Sequence, residues 1–416
     1  MPDAFSICFG GLFMQVAGII MECNPFHEGH RYIIEQAKSS SDAVVVVMSG
    51  DFVQRGAPAI LSKEQRARDV LAAGADLVLE LPVCYACSGA EYFARAGVTL
   101  LARLDVITDL WFGVSSEDPA LRKTIQRTAE ILNSEPDEFR SILQQQLRSG
   151  ATFPAARANA LQQFAGITMP DDGNDLLGVE YTRTLLKLNE TEDNAIRIHT
   201  VPRIDTPSAS EIREVLLRAE TRTDKSTEAS SESSAVYLDK DDFSQALLYQ
   251  LTRSEDLSIY ADVSADLADR IRSLLTSADT PGRSLASFSG LCSLLKTRNL
   301  TYTRVSRALL HILLELRRDR FEEYLKAGLI GYARVLGFRK NDPLASSVSL
   351  LGLLTEHSAI PVITSPAAAL RGSLPAPFQH MLETDIRAGS LYDLVALQKK
   401  NSPGITPELR KPMITL

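Results

Sequence analysis

Short apolar runs alternate with helical periodicity through the first two hundred residues. "QVAGIIM" (15–21), "AVVVVMSG" (43–50), "DLVLELP" (76–82), "VITDLWFGV" (106–114) and "AIRIHTV" (195–201) are apolar and rich in β-branched residues, a pattern that predicts strands. Between them, 29–40, 62–75 and 89–104 carry apolar residues near a 3.6 period, and Ser62 stands as an N-cap. Continuous apolar strands separated by helices predict an α/β fold: a parallel sheet covered on both faces. Ligands of such sheets bind beyond the carboxyl ends of the strands. The turns there are 22–30, 49–55 and the one at Gly113.

The pattern changes after residue 218. "AETRTDKSTEASSESSA" (219–235) is polar and nearly free of large apolar side chains, which predicts a linker or a disordered insertion. Residues 241–278, 284–298, 303–328 and 382–399 then read as helices. The expected division is an N-terminal extension over 1–13, an α/β domain over 14–218, a polar linker over 219–240 and a mainly helical region over 241–416. The opening "MPDAFSICFGGLFMQVAG" has no positive residue before its short apolar run, so it predicts no signal peptide. Met14 opens the first strand, and 1–13 is expected to be an upstream start or a disordered tail.

Composition narrows the class. The 416 residues are 45% hydrophobic and 23% charged, with a formal charge of -8. Any nucleic-acid binding must therefore come from a local basic face. No apolar run is long enough to span a bilayer. Five scattered cysteines (Cys8, Cys23, Cys84, Cys87 and Cys292) form no disulfide framework and suit a reducing cytoplasm.

Four stretches carry candidate chemistry. In "NPFHEGH" a strand ends and a helix begins near Gly29, so unpaired N–H groups can receive phosphate. His27 and His30 are candidate catalytic donors to phosphate charge in the transition state, and Gly29 would let the nucleotide approach the backbone. A capped loop with two solvated histidines and a zinc pair are the competing readings; zinc needs further ligands, and no nearby His or Cys cluster supplies them. In "SASEIREVL" (208–216), Ser208, Ser210 and Arg213 are phosphate-binding candidates, against a plain N-cap. In "GDFVQRGAPAILSKEQRARDVL" (50–71), Arg55, Lys63, Arg66 and Arg68 either meet an anion or, for Arg66 and Arg68, form a solvated face. In "LKTRNLTYTRVSRALLHILLELRRDR" (295–320), Lys296, Arg298, Arg304 and Arg307 are candidates for RNA phosphates and Tyr302 for stacking on a base, against an amphipathic helix with a charged outer face. "CYAC" (84–87) lacks the second pair a zinc site needs and reads as small buried residues.

"NPFHEGH" with "SASEIR" resembles the paired signatures of the HIGH-type nucleotidyltransferases. "GIIMECNPFHEGH", "VVMSGDFVQRGAPAILSK", "GADLVLELPV", "AEYFARAGV", "FGVSSED" and "LKTRNLTYTRVSRALLHILL" together are similar to successive blocks of the bacterial tRNA(Met) cytidine acetate ligase family, over about residues 17–338. The resemblance implies a Rossmann-like nucleotidyltransferase domain followed by the helical region. It implies that acetate attacks ATP to give acetyl-adenylate and pyrophosphate, and that the wobble cytidine of elongator tRNA(Met) then takes the acetyl group on N4. ATP would be wrapped by Ile20, Met21, Glu22, Cys23, Asn24, Pro25, Phe26, His27, Glu28, Gly29, His30, Arg31, Tyr32 and Ile33. Gly113, Asn174, Arg203 and Ile204 complete the implied contacts. Asp175 stands where the family has a second asparagine, and Cys23 where an aromatic residue is common. Magnesium would come with ATP; no dedicated carboxylate cluster is visible for it. Acetate and tRNA are the implied partners, with no membrane. An adenylyltransferase acting on a small metabolite is the alternative activity, and an RNA-binding protein with a relic nucleotide site a third.

Overall fold

The computed structural model describes residues 7–9, 12–190, 195–223, 235–277, 285–340, 349–372, 374–400 and 406–416. Its centre is one eight-stranded sheet. Five parallel strands form its middle and one flank: β1 (Val16–Met21), β2 (Ala43–Ser49), β3 (Leu77–Leu81), β4 (Asp109–Val114) and β5 (Arg197–Pro202). They lie in the order β3-β2-β1-β4-β5. The order reverses between β1 and β4, so these two ends open the crevice where such sheets bind ligands.

Side chains of β1 and β2 alternate between two cores. Ala17, Ile19, Met21, Val44, Val46 and Met48 pack under α1 (Glu28–Ser40) and α2 (Lys63–Ala72). Val16, Ile20, Val45 and Val47 face α3 (Ala90–Ala102) and the larger core shared with the C-terminal half. Burial on both faces is why these strands read as unbroken apolar runs.

Helices α4 (Pro119–Ser134), α5 (Asp137–Arg148), α6 (Phe153–Ala165) and α7 (Gly173–Asn189) fill the connection between β4 and β5, for which the sequence reading has no element. After β5, α8 (Ala209–Thr223) runs into the segment expected as linker. Residues 224–234 of that segment lie outside the described residues.

The C-terminal half is mainly helical, as expected, with different boundaries. The run 241–278 divides into α9 (Ser244–Arg253) and α10 (Ala265–Thr276), because Asp256 caps a short turn and Ser264 caps the second helix. Within the run 284–298, whose first residue lies outside the described residues, α11 (Phe288–Leu295) is capped by Ser287. The run 303–328 divides at Glu315, which takes a left-handed φ of 54°, into α12 (Tyr302–Leu313) and α13 (Arg318–Lys326). Beyond these come α14 (Leu350–His357) and α15 (Ala376–Lys400), the latter longer than the 382–399 expected.

The sheet also crosses the expected domain division. β6 (Ala333–Phe338) pairs antiparallel with β3, while β7 (Val362–Ile363) and β8 (Ile414–Thr415) pair parallel with β6. These strands escape the pattern because two are only two residues long and β6 carries Arg334. That arginine is buried and bridges Glu80 of β3 at 2.9 Å and Glu408 at 2.7 Å. Lys63 joins the same buried cluster through Asp51, Glu80 and Glu408. In the N-terminal extension Ile7–Phe9 and Leu12–Met14 pair antiparallel, while 1–6, 10 and 11 lie outside the described residues.

Asp385, on α15, lies in the same interior. It accepts hydrogen bonds from the Val83 backbone N–H at 2.7 Å and the Tyr332 hydroxyl. Burial, and then the nearby Glu80, raise its carboxyl to about 7; burial lifts Asp51 to about 6. Both groups hold a proton in the folded state that the unfolded chain has lost above pH 3.8. Their contribution to stability is therefore full at low pH and falls as pH rises from about 4 to about 7. Urea denaturation of Asp385→Asn across that window is expected to give a shallower decline than the wild type; an identical decline would contradict the assignment.

Candidate nucleotide-binding site

Beyond the ends of β1, β4 and β5 lies a cleft of about 390 Å³. Its floor begins where β1 stops. Cys23 takes a left-handed φ of 51°, the Asn24–Pro25 peptide is cis, and His27 starts α1. The chain thus turns sharply and presents the first turn of the helix to the cleft.

The two histidines form a reciprocal cap. His27 Nδ1 accepts the Gly29 backbone N–H at 3.0 Å, and His30 Nδ1 accepts the His27 backbone N–H at 3.3 Å. Their ring centroids are 3.9 Å apart. A backbone N–H can only donate, so each Nδ1 must be an acceptor and each neutral ring carries its proton on Nε2. Burial lowers the pKa of both; Arg203 adds to the effect at His27, and His27 to that at His30, which falls to about 3. Both rings are therefore neutral Nε2–H donors at pH 7, fixed in tautomer by the cap.

Gly29 lines the cleft and also has a role within the cap. A Cβ there would lie 2.9 Å from His27 Cε1, so the glycine makes room for the His27 ring folding back over the helix start. The cap therefore accounts for both the glycine and the spacing of the histidines.

A cationic cradle also lines the cleft. Ser210 Oγ accepts from Arg55 Nη1 at 3.2 Å and from Arg213 Nη2 at 2.9 Å, and Arg213 also donates to the Asn24 carbonyl. Ser208 is the N-terminal cap of α8: it accepts the Glu211 N–H at 3.3 Å, and Glu211 accepts the Ser208 N–H at 2.7 Å. Ser208 thus fits the plain cap reading, while Ser210 points toward an anion site. The side-chain nitrogen Nε2 of Gln54, next to Arg55, is buried without a hydrogen-bond partner.

Most residues expected at ATP line this cleft: Ile20 to Asn24, His27, Gly29, His30, Tyr32, Ile33, Gly113, Asn174, Arg203 and Ile204. Ser208, Ser210 and Arg213 join them. Pro25, Phe26, Glu28 and Arg31 are not among the lining residues. Phe26 stacks on His30 with centroids 5.7 Å apart, and exposed Glu28 pairs with Arg31 at 3.4 Å. Asp175 is turned away, accepting both the N–H and hydroxyl of Ser115 at the end of β4. Asn174 faces the cleft beside it, with Asp172 capping their helix.

The second arginine-rich stretch divides by burial. Arg66 is fully buried and is no solvated face. It donates to the carbonyls of Leu61, Glu22, Ser49 and Gly50. Of the RNA candidates, Lys296, Arg298 and Arg304 are exposed, whereas Arg307 pairs with Asp262 at 3.3 Å. Tyr302 is half-buried, with Lys240 Nζ 4.7 Å from its ring centroid. The C-x-x-C pair is buried and free, as expected. Among the described residues no group of three or more His, Cys, Asp or Glu side chains could hold a metal ion, and no helix is long and apolar enough to cross a membrane.

The sequence reading missed Gln54, Phe93, Phe112, Thr206, Leu177 and Tyr181, which also line the cleft. Position was the available signal for Gln54: "GDFVQRG" follows β2 at the carboxyl edge of the sheet.

Fold and cleft together define a Rossmann-like nucleotidyltransferase. The model of the HIGH Nucleotidyl Transferase family matches residues 14–404. The tRNA(Met) cytidine acetate ligase of Thermosipho melanesiensis is 34% identical, over 96% of this chain and 99% of that protein. The ligase of Acetivibrio thermocellus is 32% identical, over 91% and 94%. The crystal structure of Thermotoga maritima TmcAL bound with alpha-thio ATP superposes with a TM-score of 0.82 at 27% identity, covering 97% of this chain and 100% of that one. The chain belongs to the tRNA(Met) cytidine acetate ligase family.

The cap yields a direct test. Gly29→Ala would force the His27 ring off its position. ATP-dependent turnover is expected to fall about 100-fold, as for a misplaced catalytic group. The melting temperature should shift by no more than a few degrees, because alanine suits a helix better than glycine. Retained turnover would show that the ring can be accommodated elsewhere.

Proposed function

We propose that this chain is an ATP-dependent ligase that activates acetate as acetyl-adenylate, releases pyrophosphate, and acetylates N4 of the wobble cytidine of elongator tRNA(Met). The observation that carries this reading is the reciprocal histidine cap together with the Arg55–Ser210–Arg213 cradle, in a chain of this family. ATP would lie over the first turn of α1, with Gly113, Asn174, Arg203 and Ile204 closing around it. The two Nε2–H groups would donate to the phosphate oxygens as charge shifts during attack on the α-phosphate. Arg55 and Arg213, with Ser210, would hold the anionic groups, and the free amide nitrogen of Gln54 suits an acetate oxygen. Magnesium would arrive as the ATP complex, its site made largely by the nucleotide's own phosphates.

The tRNA would approach over α11 and α12. Lys296, Arg298 and Arg304 are exposed there. The same helix touches the active loop: Ser306 Oγ donates to the Gly56 carbonyl at 2.7 Å. The division into a catalytic unit over 14–218 and a tRNA-binding unit over 241–416 is then one of role, in a reducing cytoplasm. Incubation with labelled acetate, ATP and bulk tRNA, followed by nucleoside analysis, tests the whole reading. N4-acetylcytidine is the expected product, and its absence from folded protein would overturn it.

Two narrower outcomes are expected. His27→Ala and His30→Ala should each lower acetate-dependent ATP–pyrophosphate exchange by at least about 100-fold, the usual cost of a transition-state donor. His27→Asn separates chemistry from capping, since asparagine caps helices well but places no Nε2–H in the cleft; exchange should be lost while the melting temperature holds. On the RNA side, combined charge reversal at Lys296, Arg298 and Arg304 should weaken tRNA binding and lower the salt slope by about one for each phosphate contact removed. An unchanged slope, measured by filter binding, would take this face out of the reading.

A further inference from the structure

The second half-reaction needs a proton acceptor. When the cytidine N4 nitrogen bonds to the acetyl carbon, it must shed a proton as the acyl–phosphate bond breaks and AMP leaves with the electron pair. Polar side chains of the cleft can be taken in turn. His27 and His30 have Nδ1 occupied by backbone N–H groups and protons on Nε2, so neither has a free lone pair facing the substrate. Asp172 accepts the Asn174 N–H at 2.7 Å and lies 3.8 Å from Arg203. Cys23 and Tyr181 are held protonated by burial. The remaining carboxylate among the lining residues is Glu22.

We propose that Glu22 is the general base of acetyl transfer, taking the N4 proton as the amide bond forms and later releasing it to solvent. The assignment rests on the ligase reading above. Glu22 follows β1 directly, and Arg66 Nη1 grips its backbone carbonyl at 3.1 Å, so the root of the side chain is fixed. The Asn24 side chain favours the ionised form of Glu22. The positive charges of three guanidinium groups favour its ionised form, each from a different element: Arg55 from the loop after β2, Arg213 from α8 and Arg66 from α2. All three spend N–H groups elsewhere: Arg55 on Ser210, Arg213 on Ser210 and the Asn24 carbonyl, and Arg66 on backbone carbonyls. The buried thiols of Cys23 and Cys87 and the phenol of Tyr181 complete its titratable surroundings. Burial raises the Glu22 pKa above the ordinary carboxylate value, and the guanidiniums only partly offset this. A carboxylate so placed accepts a proton more readily than an exposed one, as a base working near neutral pH requires.

The test measures both half-reactions on the full chain. In Glu22→Gln, transfer from enzyme-bound acetyl-adenylate to tRNA is expected to fall at least about 100-fold. Because Glu22 also lines the nucleotide cleft, acetate-dependent ATP–pyrophosphate exchange is expected to fall too, so the readout is the ratio: transfer should drop at least about tenfold more than exchange. In the wild type, single-turnover transfer should decline as pH drops through a pKa above the ordinary carboxylate value, and Glu22→Gln should lose that limb. Glu22→Asp, which keeps a carboxylate, should recover part of the transfer rate. The proposal is overturned if exchange and transfer fall together in Glu22→Gln, or if its transfer stays within about tenfold of the wild type. Wild-type protein that lacks acetate-dependent exchange would instead overturn the ligase reading, and Glu22 with it.

Discussion

Arg66 is the constraint on which the cleft depends. Parallel strands end in carbonyls with no partner of their own, and here two such ends must stop side by side while their loops diverge around a ligand. The buried guanidinium donates to carbonyls at both ends and in both turns: Glu22 after β1, Ser49 and Gly50 at the end of β2, and Leu61 before α2. Its planar fork can address several acceptors at once, and a lysine ammonium cannot reproduce that geometry. The histidine turn, the Glu22 root and the start of the Gln54–Arg55 loop all spring from atoms it holds.

From that anchored edge the electrostatics of the cleft follow. One wall carries neutral donors, locked by the cap so that pH does not alter their number across the neutral range. The same cleft carries permanent cations, Arg55 and Arg213, that meet at Ser210. The hydrogen bonds that satisfy the first N–H groups of α1 are the same ones that set the histidine tautomers.

The sequence made the parallel strands and the histidine turn legible, because their signals are local. Apolar runs such as "AVVVV" and the spacing of His27, Gly29 and His30 need no tertiary context. What stayed hidden depends on partners distant in the chain. Arg334 interrupts β6 and becomes acceptable only once Glu80 and Glu408 surround it. Arg66 looks like any charged residue on a polar helix until four carbonyls converge on it. Gly29 was legible as important, but its reason, the His27 ring, is a rotamer that no spacing reveals. Lys296, Arg298 and Arg304 were legible as basic, yet only the fold distinguishes them from Arg307, which Asp262 already engages.

The same distant contacts explain why the C-terminal half cannot be a mere appendage. Gly56 takes a φ of 71°, and a Cβ there would lie 2.3 Å from the Arg307 backbone nitrogen, so the loop bearing Gln54 and Arg55 is pressed directly onto α12. On the other side of that loop, Asp51 and Lys63 enter the charged interior shared with Glu408, near the end of the chain. The Gln54–Arg55 loop is thus clamped between the proposed RNA-binding helix and the C-terminal turn. A shift of α12 on binding RNA would be passed to Arg55 through backbone contact rather than through a flexible side chain. Acyl-adenylates hydrolyse readily in water, so a ligase gains if the cradle is fully organised only when an acceptor is in place. The packing of α12 on Gly56 supplies a physical route for that coupling.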